Sequence, residues 1–275
     1  MPSDQPVCVV KYGGNAMTDN DLKREVIKNV CLLQNYGYKV VIVHGGGPFI
    51  KQALLQAGIE SEFIDGHRVT TPEALEHVET ALKGQVNGSL VRLVNQLGYK
   101  AVGLSGKDGK IATAVKRMHM KTVDGHVEEH DLGRVGDVVS MDTDLLELLL
   151  DHEYIPVLAC LAADVDSNEF NVNGDMFAGH LAGALKAELF LLLTDVDGLM
   201  RDKDDPSTLI PELSLADIPP LRQQQVIQGG MIPKLDACET ALKNGAGSAV
   251  ILNGTEPEQL LAVGKREPVG TTVVL

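Results

Sequence analysis

The sequence predicts an α/β protein with a largely parallel central sheet. Short apolar runs, suited to strands covered on both faces, alternate with amphipathic helical stretches along nearly the whole chain. Two of these runs end in glycine clusters, VVKYGG (residues 9–14) and VIVHGGG (residues 41–47), and ligands collect at the carboxyl ends of such strands. No internal repeat, low-complexity tract or Pro/Ser linker interrupts the pattern, so the 275 residues read as one domain with two lobes meeting near Asn171.

The expected strands are Val7 to Val10, Lys39 to Val43, Ala101 to Leu104, Ile155 to Leu158, Leu189 to Leu193 and Ala249 to Leu252. Each is short, apolar and rich in branched side chains. The first helix is expected from about Asp21 to Tyr36, where Leu22, Val26, Val30 and Leu33 recur at helical spacing. Asp19 or Asn20 can cap its start and Gly37 can end it. Further helices are expected over residues 48–56, 72–96, 144–151, 175–185, 215–227 and 232–243. Residues 110–139 break the rhythm with alternating pieces and an Asp124-Gly125 turn, which predicts β-hairpins appended to the sheet.

Composition narrows the function. Asp and Glu outnumber Lys and Arg by 38 to 24, a formal net charge of -14 that repels nucleic-acid phosphates and anionic lipid surfaces. No run approaches the roughly 20 apolar residues of a membrane span, and MPSDQPV lacks a signal-peptide pattern, so a cytoplasmic location is expected. Cys8, Cys31, Cys160 and Cys238 show no CxxC spacing and read as small buried hydrophobes.

Anions must then be held by local amides and cations. Both KYGG and HGGGP suit that task, because glycine lets an anion approach backbone N–H groups; the alternative is a pair of tight turns. Neither is a P-loop nor a complete GxGxxG, and GLSGKDGK (residues 103–110) lacks the P-loop spacing. NVNGD (residues 171–175) places two asparagines and an aspartate at a helix start, more polar groups than one cap needs. LLLTDVDGL (residues 191–199) is a buried strand ending in Thr194 and Asp195 before a glycine turn. GGMIPK (residues 229–234) sets Lys234 at a helix start, where the dipole disfavours a cation unless an anion is near.

Taken in order, KYGGNAM, VIVHGGGP, GHRVT, LKGQVNGSLV, GLSGKDG, NVNGD, LLLTDVDGL and GGMIPK resemble the amino acid kinase family, and within it the branch that phosphorylates the side-chain carboxylate of N-acetylglutamate. The resemblance runs from about Val7 to Leu275. It implies a three-layer αβα sandwich, with residues 1–173 as the amino-acid and dimerisation lobe and 174–275 as the nucleotide lobe. It further implies ATP with Mg2+, the ion arriving largely on phosphates and water with no protein metal site, and an acyl-phosphate product in arginine biosynthesis. By the same resemblance Lys11 and Lys234 are the transition-state cations, Asp175 orients both, and the Gly14 amide helps hold the phosphate. Gly46 and Gly47 hold the reacting carboxylate, and Arg68 and Asn171 the rest of the substrate. Gly13, Thr194, Asp195, Val196, Gly198, Leu199 and Gly230 lie by the nucleotide. A carboxylate is already a nucleophile, so no Ser/His/Asp or Cys/His triad is needed.

Several positions depart from the branch's usual pattern. His67 stands where leucine or methionine is common, and either shapes the acyl pocket or points to solvent. Gly174 replaces an alanine, and Met176 and His180 also differ. The HVEEH stretch (residues 126–130) has ligand residue types without a zinc-binding spacing and reads as a solvated turn, and Met118 and Met120 read as packing residues. The short stretch before the first strand and the ending LLAVGKREPVGTTVVL lack the marks of arginine-inhibited hexamers, which predicts an arginine-insensitive homodimer with no PII-type regulator. The readings to be separated from the leading one are a sister kinase for another acylated amino acid, such as an aminoadipate derivative, and a non-catalytic sensor with the same fold.

Overall fold

The computed structural model describes residues 5–123 and 126–275. β1 (Val7–Tyr12) leads through a short 3-10 turn to α1 (Asn20–Leu32), then β2 (Lys39–His44) and α2 (Gly47–Gln56). The ribbon β3 (Phe63–Ile64) and β4 (His67–Arg68) precedes α3 (Pro72–Glu79), a π-helical stretch at Thr80–Asn87, α4 (Gly88–Gln96) and β5 (Lys100–Ser105). The long hairpin β6 (Ala112–Val123) and β7 (His126–Met141) is followed by α5 (Asp144–Asp151), β8 (Tyr154–Ala159), β9 (Leu161–Ala163) and β10 (Glu169–Val172). The remainder is α6 (Gly174–Ala184), β11 (Leu189–Thr194), β12 (Glu212–Ser214), α7 (Ile218–Gln223), α8 (Met231–Lys243), β13 (Ser248–Asn253), α9 (Glu258–Gly264) and β14 (Thr271–Val274).

Eight strands form the main sheet in the order β12-β14-β13-β11-β1-β2-β8-β5, parallel except where β13 meets β14. Alternate residues of β1 and β2 bury on opposite faces. Val9, Val41 and Val43 join a core with α2, α3, α6 and α8, while Cys8, Val10, Val40 and Ile42 join another with α1, α4 and α9. The result is the αβα sandwich. A closed barrel of β10-β7-β6-β9 sits beside it.

Local chemistry explains the boundaries. Asp19 Oδ1 accepts from the N–H groups of Asp21 and Leu22, both at 2.9 Å, and Gly37 takes the left-handed conformation beyond the helical stretch, φ 94°. The expected helix over residues 72–96 is helical throughout, but its middle is π-helical, because Asn87 and Lys83 are drawn to partners across the sheet edge. The expected helix over 215–227 is corrected to a 3-10 turn at Leu215–Asp217 and the short α7, where Pro219 and Pro220 fit only the first turn. Residues 112–141 make one long hairpin rather than several, and the expected Asp124-Gly125 turn lies outside the described residues. Met118 and Met120 are not packing residues: both are exposed on β6. All four cysteines are free and buried.

Candidate active site

Three segments meet where β1, β2 and β10 end. β1 extends to Tyr12, so Lys11 lies opposite Val43 and Tyr12 opposite His44 in parallel register. The lysine side chain runs back over the glycines: a Cβ added at Gly13 would lie 3.1 Å from its Nζ, and one added at Gly174 would lie 3.6 Å from its Cε and 3.8 Å from Gly45 Cα. The loops after β1, β2 and β10 therefore converge on one ammonium group. At Gly174 the missing methyl would make only ordinary contacts.

α6 and α8 bring the second cation in. They pack closely because Gly179 and Gly183 present bare backbone: a Cβ at Gly179 would meet Ala237 O at 2.4 Å, and one at Gly183 would meet Asn244 Cβ at 2.4 Å. Asp175 in the first turn of α6 thus lies beside Lys234 in the first turn of α8. Lys11 Nζ is 2.7 Å from Asp175 Oδ1 and Lys234 Nζ donates to Oδ2 at 3.1 Å. Burial pushes the Asp175 carboxyl up, but the Lys11 and then the Lys234 charge outweigh it and hold the group down at about 2. One carboxylate between two ammonium groups leaves the centre with a surplus positive charge.

Backbone donors surround this centre. α2 begins at Gly46 with no side-chain cap, whereas α6 is capped by Asn173, which accepts from the N–H groups of Asp175 and Met176, and at the start of α8 the Met231 and Ile232 N–H groups donate to Gln228 O and Gly229 O, both at 3.2 Å. A helix start without a side-chain cap, as at α2, suits an anion. Gly14, φ 78°, opens the 3-10 turn after β1 with nothing packed where a Cβ would stand.

The ribbon carrying Arg68 forms because Asp65 and Gly66 both take positive φ, 46° and 84°, as a two-residue hairpin turn requires. The guanidinium lies over the Phe63 ring, 4.5 Å from its centroid, and donates to Ser61. Asn171 Nδ2 reaches the buried Thr70 Oγ1 at 3.5 Å, which in turn donates to Arg68 O at 3.1 Å. Asn171 is thereby tied to the ribbon four residues before Asp175. His67 does not simply face solvent: its ring is 5.5 Å from that of His119, whose Nε2 is 2.8 Å from Asp65 Oδ2. Burial, then the charges of Arg117 and His119, lower the His67 pKa, and burial lowers that of His180 against the pull of Asp137. Two of the departures from the branch's pattern thus sit around Arg117 and Asp137, themselves an ion pair at 2.7 Å.

Thr194 ends β11, and Asp195, Val196, Gly198 and Leu199 follow it. Val196, Gly198 and Leu199 line a cavity of about 420 Å³ together with Met200, Arg201 and Met231. Met231 opens α8, so the cavity adjoins the turn that carries Lys234. Gly198 is forced by close approach, since a Cβ there would lie 2.5 Å from Thr271 Oγ1, the hydroxyl that accepts from Leu199 N. Thr194 Oγ1 donates to Asp195 Oδ1 at 3.2 Å.

Sequence reasoning missed Met200 and Arg201, which lie outside the quoted motifs, Met231, which lies inside GGMIPK but was given no role, and the pair His44 and Asn87. His44 is buried and Asn87 Nδ2 lies 3.0 Å from its Nε2; the signals were a histidine ending an apolar run and an asparagine inside LKGQVNGSLV, with nothing to pair them. For a metal, Asp175 is already committed to two lysines, and among the described residues no three His, Cys, Asp or Glu side chains are placed to hold an ion. In HVEEH, His130 Nε2 lies 3.6 Å from Glu128 Oε2.

The sequence pattern of the amino acid kinase family matches residues 6–253. This chain belongs to the amino acid kinase family. Similar family members include acetylglutamate kinases of Methanococcus aeolicus, 43% identical over 98% of this chain and 92% of that one, and of Heliobacterium modesticaldum, 45% identical over 97% and 91%. Among solved structures, N-acetylglutamate synthase from Neisseria gonorrhoeae with coenzyme A and N-acetylglutamate matches at a TM-score of 0.79 and 23% identity, over 98% of this chain and 59% of that one. Carbamate kinase from Giardia lamblia bound to AMP-PNP matches at 0.68 and 16%, over 98% and 99%. At these identities the two structures speak for the fold alone.

Proposed function

We propose that this kinase transfers the γ-phosphoryl group of ATP to the side-chain carboxylate of N-acetyl-L-glutamate, a step of arginine biosynthesis. The observation that carries the reading is the pair of lysines from β1 and α8 sharing one buried aspartate beside the uncapped start of α2. A carboxylate oxygen attacks the γ-phosphorus, the bond to the β-phosphate oxygen breaks, and ADP leaves with the electron pair. No proton moves. The obstacle is repulsion between anions, and fixed positive charge at the transferring group answers it. The likeness to acetylglutamate kinases over nearly the full chain supports the choice of acceptor.

In this reading Lys11 and Lys234 neutralise the transferring phosphoryl group, Asp175 holds them in place, and the Gly13, Gly14 and Gly230 amides face phosphate. Gly46 and Gly47 receive the reacting carboxylate, while the Arg68 fork and Asn171 take the rest of the amino acid. Thr194, Asp195, Val196, Gly198 and Leu199 flank the nucleotide, residues 1–173 forming the amino-acid lobe and 174–275 the nucleotide lobe. Mg2+ enters with ATP and supplies charge neutralisation on the phosphates. The same reading makes the enzyme a cytoplasmic homodimer without arginine inhibition or a PII-type regulator. The open edge of β5 and the adjoining helical stretch over residues 72–96 support the dimer, and sedimentation with and without arginine checks it.

Trapping of the product by hydroxylamine tests the acceptor. With magnesium ATP, hydroxamate is expected from N-acetylglutamate and not from glutamate or N-acetylaminoadipate. A preference for the aminoadipate substrate would transfer the enzyme to a sister reaction, and silence on all three with intact ATP binding would make it a sensor.

A further inference from the structure

His44 is fully buried at the end of β2, directly before the three glycines. Its ring nitrogens have different partners. Asn87 Nδ2 lies 3.0 Å from Nε2, and also 2.8 Å from Val157 O and 3.3 Å from Leu104 O. Both carbonyls can only accept, so the amide nitrogen rather than its oxygen must stand there; its two hydrogens serve the two shorter contacts, Val157 O and Nε2, and because it cannot accept, Nε2 faces it unprotonated. The proton of the neutral ring is then on Nδ1, which lies 2.9 Å from Gly45 O and donates to it.

This bond has a geometric consequence for the next peptide. Among the described residues no peptide is cis, and in a planar trans unit the C=O and N–H point in opposite directions. Drawing Gly45 O inward to His44 turns the N–H of Gly46 the other way. Among the described residues no acceptor meets that N–H. Nearby backbone is pinned as well: Gly45 N donates to Tyr12 O at 3.1 Å and the Cys160 thiol approaches His44 O at 3.5 Å.

We infer that His44, held in its Nδ1–H tautomer by Asn87, is a positioning residue that aims the Gly46 N–H at the carboxylate to be phosphorylated. The inference rests on the proposed function for the identity of that carboxylate. It also gives the π-helical stretch a role: the stretch carries Asn87 to His44 and sets Leu82 against Gly46, where an added Cβ would lie 2.6 Å from Leu82 Cδ2.

Three variants and nitrogen-15 spectra test this. His44→Phe keeps a ring of similar size but donates nothing, whereas His44→Asn can place a donor near the position of Nδ1. Loss of the oriented amide predicts a KM for N-acetylglutamate about 10- to 100-fold higher in His44→Phe, with KM for ATP within about 2-fold of wild type. His44→Asn should recover most of the loss. Nitrogen-15 spectra of the wild-type imidazole should show the Nδ1–H tautomer, and an Asn87→Leu variant should relax that preference. Equal KM values for N-acetylglutamate in wild type and His44→Phe, a parallel loss in both substrates that His44→Asn does not reverse, or an Nε2–H tautomer would each overturn the assignment. Wild-type enzyme inactive on N-acetylglutamate would instead defeat the substrate reading, and the tautomer alone would then decide the peptide's orientation.

Discussion

β1 and β2 run side by side and both end in glycines, yet the two ends work by opposite electrostatics. The first carries Lys11, ion-paired with a carboxylate that also holds Lys234. The second carries His44, buried and kept neutral: burial pushes its pKa down to about 4 against the lift from its bond to Gly45 O. Charge is worth most where phosphoryl oxygens must be neutralised, whereas a dipole fixed by a neutral ring suffices to orient one amide. The difference teaches that similar glycine motifs can serve a side-chain site and a backbone site.

The largest effect expected from disturbing this contrast is at the charged end. Lys11→Met should lower kcat by about 10²- to 10⁴-fold with little change in ATP affinity, as read by steady-state kinetics and nucleotide binding; loss of ATP binding alone would contradict a transition-state role. Arg68→Lys keeps the charge but loses the planar fork, and should raise KM for the acyl amino acid about 10-fold. An unchanged KM would remove Arg68 from the substrate site.

Acid separates the two ends thermodynamically. For His44 the folded pKa is depressed below its ordinary 6.5, so as pH falls the unfolded chain takes the proton first. The stability it contributes is present above pH 6.5 and lost down to about pH 4, amounting to about 3 kcal/mol. For Asp175 the folded pKa is also depressed, from 3.8 to about 2, and its contribution of about 2 kcal/mol disappears only below pH 4. Denaturant titrations of wild type and His44→Asn across pH 4 to 7 should show the first window only in wild type. The smallest effect belongs to Gly174→Ala, which meets only ordinary contacts and should change stability by less than about 1 kcal/mol without loss of activity.

Local signals made much of this legible. The runs at residues 7–10, 39–43 and 189–193 lie within β1, β2 and β11, since strands buried on both faces must be apolar throughout. The caps at Asp19 and Gly37 obey rules of chain geometry that need no tertiary partner. Short elements such as β9, β12 and β14 were not visible, because strands of 3 or 4 residues exist only through their neighbours. An Asp65-Gly66 turn could have revealed the β3–β4 ribbon, but its strands are too short to show alternation. Met118 and Met120 misled because hydrophobicity alone does not tell which face of a hairpin meets the core.

By itself the sequence determined the alternation of strands and helices, the glycine-rich ends and the residue types available for chemistry. Only the tertiary structure decided that Lys11 and Lys234, 223 positions apart in the chain, share Asp175, and that the proton of His44 is on Nδ1. Both outcomes depend on packing across elements, the first on glycine contacts between α6 and α8 and the second on a π-helical Asn87. Periodicity reports which residues are buried; the partner each polar atom finds is set by where the fold brings the other elements.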